Sequence, residues 1–195
     1  MTKKILACLL LFTIFILNGQ NTDFRILRSI NAGSMPGWDK AMKGLSFTAY
    51  PVAPLSVGGI LLHGYIKKDK QLIRSGYKSA ITIVLAMSIS TGTKYLVKRE
   101  RPYITYPNAI TQRDHSGTWS FPSGHTTAAF ATATALSLTY KKWYVAVPAY
   151  SYAGFIGYSR MRLGMHYPSD VLGGIIAGIG SGLLTWKLDR ILNGK

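Results

Sequence analysis

The sequence predicts an all-α fold: a transmembrane helical bundle of five core spans plus an N-terminal signal or anchor segment. Three observations carry that prediction. Hydrophobic residues make up 48% of the 195-residue chain and gather in long runs almost free of charge, the pattern of helices that lie in lipid. Lys and Arg number 23 against 7 Asp and Glu, a net charge of +16, and many of these cations fall between the apolar runs. If the runs alternate direction, most of the connecting cations come to one side.

A basic balance also suits nucleic acid. Nucleic-acid binders seldom carry so much apolar sequence in blocks, so the expected partner is a bilayer and not nucleic acid. The seven acids, Asp23, Asp39, Asp69, Glu100, Asp114, Asp170 and Asp189, are scattered. Two-metal hydrolases need several carboxylates converging on paired cations, and this distribution argues against them. No metal site and no cofactor are expected. The single cysteine, Cys8, excludes an intrachain disulfide and a zinc site built on several Cys.

Residues 1–20 open with Lys3-Lys4 and continue as an apolar run from Ile5 to Leu17. That run is short of the roughly 20 residues a spanning helix needs and suits a signal peptide or signal anchor. Residues 21–195 are read as one domain. Within it, Phe24, Leu27 and Ile30 recur at helical spacing and suit a short interfacial helix, with a plain connecting segment as the other reading of 21–46. A second short helix is expected over 38–45, after the breakers Gly33, Pro36 and Gly37.

The five spans follow over 47–66, 79–96, 121–138, 143–158 and 171–188. The third and fourth are short and rich in small residues, which suits close helix packing in lipid. Buried helices of a soluble protein are the other reading of those two. Lys67-Lys68-Asp69-Lys70 with Arg74 and Lys78, then Lys141-Lys142, then 187–195 fall on one side, the cytoplasm by the positive-inside rule. Trp143 and Trp186 mark that interface and Trp119 the opposite one. His63 reads as an interfacial or packing residue near the inner face.

One group of cations breaks the rule. Lys94, Lys98, Arg99, Arg101, Arg113, Arg160 and Arg162 lie at helix ends on the outer side, where orientation does not explain them and anion binding does. Three stretches meet there. The first runs from Lys94 to Arg101-Pro102. Its two key cations are seven apart, two helical turns, so both point the same way if the helix continues to Pro102. The second is Pro122-Ser123-Gly124-His125, where a helix start offers free N–H groups and the positive end of its dipole. The third is Ser159-Arg160 through His166 to Asp170, a histidine with a carboxylate four residues on and an arginine ahead of it. Each alone is also what a charged or capped helix end looks like. Together on one face, they make a site for a tetrahedral oxyanion with a nucleophile and an acid to hand.

These three stretches resemble the complete signature of the type 2 phosphatidic acid phosphatase family, with the spacing inside each part matched without gaps. The resemblance covers about residues 94–170 and implies a metal-independent phosphoric monoester hydrolase. It implies His166 as the nucleophile that forms a phosphohistidine, Asp170 as the partner orienting its ring, and His125 as general acid and then base. Lys94, Arg101, Ser123, Gly124 and Arg160 would cradle the phosphate. The expected substrate is a phosphorylated lipid of the outer leaflet: phosphatidylglycerol phosphate, undecaprenyl diphosphate or lipid A. The expected location is a bacterial inner membrane, with the site facing the periplasm or exterior. The alternatives are a secreted, non-specific acid phosphatase for small phosphate esters, a vanadate-dependent haloperoxidase, and a basic membrane protein that binds anionic lipid without turnover. The loop from Tyr103 to Trp119 is a candidate lid at the lipid surface, His115 a solvated loop residue or else a head-group contact, and Arg113 and Arg162 candidate secondary head-group contacts.

Overall fold

The structure is a computed structural model, and it describes residues 21–115 and 117–193. The segment read as a signal or anchor, with Cys8, lies outside the described residues. Among those described, every regular element is a helix. They are α1 over 21–31, α2 Pro36–Phe47, α3 Ala49–Lys67, α4 Lys70–Val97, α5 Pro102–Thr105, α6 Gly124–Tyr140, α7 Trp143–Arg162 and α8 Pro168–Leu192.

Local chemistry sets most of the helix ends. α2 and α8 each begin at a proline, whose missing N–H is no loss in a first turn. Asp69 caps α4 by accepting from the N–H groups of Gln71 and Leu72 at 2.8 and 3.1 Å. α3, α4 and α6 each stop at a lysine in the left-handed region, Lys68, Lys98 and Lys141. Asp170 accepts from the N–H of Tyr167 at 2.9 Å, which fixes the start of α8.

α6 is the axis of the bundle. It packs against α3, α4, α7 and α8, and every residue from Thr126 to Ala135 is buried. A helix enclosed on all sides presents no apolar stripe, and small side chains let its neighbours approach. Its threonines satisfy themselves inside the helix: Thr127, Thr132 and Thr134 donate to the carbonyls of Ser123, Ala128 and Phe130 at 2.7–2.9 Å. α8 lies against it through Gly174 and Gly178. A Cβ at Gly178 would meet Ala131 N and Thr127 O at 2.8 Å, backbone atoms that have nowhere to go.

Of the five expected spans, length and hydropathy recover two, or three, among the described residues. α4 and α8 are long and apolar enough to cross a membrane, and α2 with α3, bent by 42°, forms a third span if the pair is taken as one. α6 has 17 residues and owes its place to the protein around it, so hydropathy is a poor guide to its role. The span expected over 79–96 already starts at Lys70. Large apolar side chains face outward on α3, α4 and α8, among them Leu55, Leu62, Ile81, Val84, Leu96, Leu172, Ile176 and Leu183, the surface a bilayer would cover.

α1 is helical as expected, but it is docked rather than lying free at an interface. Leu27 is fully buried against Ile110 and Tyr167, with Phe24 beside it. The helix expected over 38–45 is longer, Pro36–Phe47, and packs on α7.

Candidate active site

The end of the bundle where α4 stops and α6 and α8 start holds a cavity of about 450 Å³. Lys94, Arg101, Gly124, His125 and His166 all line it, with Tyr50, Trp119 and His115. Three different local structures deliver them. Lys94 sits in the last turn of α4. Arg101 lies beyond that helix in extended backbone, because α4 ends at Val97 and not at Pro102. The helical phase expected to align Lys94 with Arg101 is thus absent, and the fold of the 98–101 segment brings the two together. Gly124 and His125 open α6, whose first N–H groups are free of intrahelical partners by position. His166 stands in the short connection between α7 and α8.

His166 is 1% exposed. Its Nδ1 faces Asp170 Oδ2 at 3.5 Å and Ser120 Oγ at 3.4 Å, while its Nε2 faces Arg101 Nη1 at 3.2 Å. Asp170 only accepts, so the ring proton belongs on Nδ1 and the lone pair on Nε2. Burial of the ring pushes its pKa down to about 3, helped by the Arg101 and Arg160 cations and opposed by Asp170. The imidazole is neutral at pH 7, with Nε2 unprotonated.

The arginines are held by the chain as well as by charge. Arg101 donates to the carbonyls of Gly117, Met165 and Trp119 at 2.6, 2.8 and 3.1 Å. Lys94 donates to Trp119 O at 2.9 Å. Arg160, fully buried, donates to Ser46 Oγ and Asp114 Oδ2 at 2.6 and 2.8 Å. Burial works to raise the Asp114 pKa, but the Arg160 hydrogen bond and the Arg160 and Lys43 charges hold it below its usual value. Ser123 is buried at the start of α6; its hydroxyl accepts from Thr126 at 2.9 Å. A Cβ at Gly124 would come within 2.9 Å of the Tyr50 hydroxyl, so a side chain there would press on the Tyr50 ring.

Residues 76–192 match the PAP2 superfamily. The chain belongs to the PAP2 superfamily. Among PAP2 relatives, a lipid A 1-phosphatase of Porphyromonas gingivalis is 32% identical over 173 residues, 87% of this chain and 35% of that one. Undecaprenyl-diphosphatase BcrC of Bacillus subtilis is 29% identical, covering 68% of this chain and 65% of its own. The chain thus spans about a third of the first relative's length and somewhat under two thirds of the second's. The crystal structure of Aquifex aeolicus LpxE superposes with a TM-score of 0.70 at 28% identity, over 84% of this chain and 93% of that one. A transmembrane PAP2 phosphatidylglycerolphosphate phosphatase from Bacillus subtilis shares the fold, with a TM-score of 0.72 at 22% identity over 93% and 95%.

Around this cavity the structure adds residues that sequence reasoning passed over. Ser120 donates to Asp170 Oδ2 and sits beside His166 Nδ1. Arg99, grouped before only as an outer-side cation, donates to Asp170 Oδ1 at 2.8 Å. Their only sequence signal is nearness to Arg101 and Pro122. His115 is an exposed loop residue, as expected, and it also lines the cavity.

Two head-group expectations are overturned. Arg162 is 3% exposed; it donates to Asp39 Oδ1 at 2.7 Å and to the carbonyls of Ile30, Ala32 and Gly33. Arg113 pairs with the same Asp39 at 3.0 Å and donates to Gly33 O. Arg162 ties the α1–α2 connection to the end of α7 and Arg113 ties it to the loop between α5 and α6, so both charges are paired inside the protein. His63 is close to expectation, stacked on Tyr140 with a ring-centroid distance of 6.1 Å.

Proposed function

We propose that this chain is a membrane lipid phosphatase that works through a phosphohistidine. The observation that carries the reading is the orientation of His166: Nδ1 toward a carboxylate, Nε2 toward a cavity walled by cations. In the first step Nε2 attacks phosphorus while the bond to the leaving oxygen breaks, and His125 gives that oxygen a proton. In the second step His125 takes a proton from water, the water oxygen attacks phosphorus, and the P–N bond breaks to restore His166. Arg101, Lys94, Arg160 and the first amides of α6 stabilise the charge on the equatorial oxygens. The charge balance of the reaction needs no metal.

A lipid substrate is favoured by where the cavity lies. Thr91 and Tyr95, on the exposed face of α4, form part of its wall, next to the outward-facing Leu96. A lipid phosphate entering along α4 would keep its chains on the apolar face. The candidate substrates are lipid A, undecaprenyl diphosphate and phosphatidylglycerol phosphate, presented from the outer leaflet of a bacterial inner membrane. Purified protein in detergent should release phosphate from at least one of them, with EDTA present or absent. His166→Ala should abolish release, and His125→Ala should lower kcat by about 10²–10⁴-fold. Unchanged turnover in His166→Ala, or loss with EDTA, would sink the mechanism. Hydrolysis of small phosphate esters alone would point instead to the non-specific phosphatase.

A further inference from the structure

The PAP2 match begins at Gly76, yet α1, some fifty residues earlier, reaches the back of the site. Asp23 is 7% exposed. Its Oδ2 accepts from Arg99 Nη2 at 2.8 Å, and its Oδ1 accepts from the N–H of Ser169 at 2.8 Å. The Ser169 hydroxyl also donates to Asp23. Arg99 is thereby held between two carboxylates, Nη2 on Asp23 and Nη1 on Asp170 Oδ1 at 2.8 Å. The same Nη1 lies 2.6 Å from Ser169 Oγ, and the guanidinium carbon stacks 3.9 Å over the Tyr167 ring. Phe24, next in the chain, and Leu27, one turn along α1, pack against Tyr167, Ile110 and Tyr106.

We propose that Asp23 is a positioning residue for the reaction assigned above: through Arg99 and Ser169 it sets the place and the electron-pair strength of Asp170, and so of His166. Two effects run in the same direction. Geometrically, Asp23 ties the first turn of α8 to α1, so the carboxylate meets Nδ1 rather than swinging toward the cation. Electrostatically, an arginine bonded to Asp170 alone would draw off the negative charge that the imidazole needs when it becomes cationic in the attack. A second carboxylate on the far side of the guanidinium shares that cation and returns the charge to Asp170. Arginine suits the bridge because its planar fork serves two acceptors at once, which a lysine does not.

The inference rests on the phosphohistidine reading, and its test separates the two. In Asp23→Asn the shape and the packing of Leu27 and Phe24 are kept and the charge is removed. We expect kcat to fall roughly 10-fold or more, with KM within twofold. Asp23→Asn added to Arg99→Met should cost little beyond Arg99→Met alone, since both act through one route. Leu27→Ala, which loosens α1 without touching the charge, should lower the melting temperature with a smaller effect on kcat. Nitrogen-15 spectra of the histidine rings give a readout free of turnover: Asp23→Asn should move the His166 Nδ1 resonance away from its carboxylate-bonded position. A wild-type protein that hydrolyses lipid phosphate while Asp23→Asn keeps full kcat and an unmoved His166 signal would overturn this inference and leave the mechanism standing. Additive losses in the Asp23/Arg99 pair would overturn it as well. A wild type without turnover would instead defeat the phosphatase reading, with the ring spectra still deciding what Asp23 does.

Discussion

His166 is neutral because its ring is buried beside the Arg101 and Arg160 cations, and that has a consequence for stability as well as for chemistry. Its folded pKa is depressed to about 3, whereas an unfolded histidine titrates near 6.5. Below about pH 6.5 the unfolded chain therefore takes up a proton that the folded one refuses, and the fold loses stability as pH falls toward 3. His166→Asn removes that contribution. The gap in melting temperature between wild type and variant should shift against the wild type between pH 6.5 and 4, as followed by thermal unfolding in detergent. Arg162 gives a second expectation at this scale. Its guanidinium donates to Asp39 and to the carbonyls of Ile30, Ala32 and Gly33, so Arg162→Met should destabilise the protein by about 3–5 kcal/mol. Calorimetry or a detergent melt checks it. A head-group contact would behave otherwise, raising KM and leaving the melt unchanged.

The elements position the site through contacts that leave little room for side chains. α8 meets α6 at Gly178, where any Cβ would press on the backbone of α6. Gly178→Val should cost about 1–3 kcal/mol and tilt the start of α8, carrying Asp170 with it, so stability and kcat should fall together. Gly58 in α3 has nothing within 4 Å of where a Cβ would sit. There Gly58→Ala should be neutral or stabilise by about 0.4–1 kcal/mol, and the pair of melts tests whether packing or helix propensity governs these glycines. α6 shows why hydropathy misjudges a central helix: its alanines and threonines are chosen for how closely α3, α4, α7 and α8 approach. A scale built on lipid transfer does not measure that.

For the molecule as a whole, the charge layout and the outward-facing apolar side chains act together. Arg74 and Lys78 pair with Asp189 at 2.7 and 3.3 Å at the end opposite the cavity, and Lys78 lies 4.6 Å over the Trp186 ring. That end is the proposed cytoplasmic one. With Cys8 replaced by Ser, a cysteine introduced at exposed Thr118 should react with an impermeant thiol reagent in intact spheroplasts. One at exposed Lys141 should react only after lysis. The reverse pattern would invert the proposed orientation. Alkaline carbonate should leave the protein in the membrane pellet, and release into the supernatant would argue for a soluble phosphatase.

Sequence by itself determined the helical class and the three stretches whose joint occurrence marks the site, because residue type and short spacing are local properties. It also located Lys94, Arg101, His125 and His166 in one neighbourhood, although for Lys94 and Arg101 the helical phase invoked is not the one that operates. Tertiary structure alone decided the rest. It settled that Arg113 and Arg162 face inward to Asp39, that Ser120 and Arg99 hold Asp170, and that α1 folds back onto the start of α8. The reason is physical: a cation or a hydroxyl looks the same in sequence whether it faces water, lipid or a carboxylate. Its partner is chosen by segments up to 146 residues away, and only the packed chain brings them within hydrogen-bonding reach.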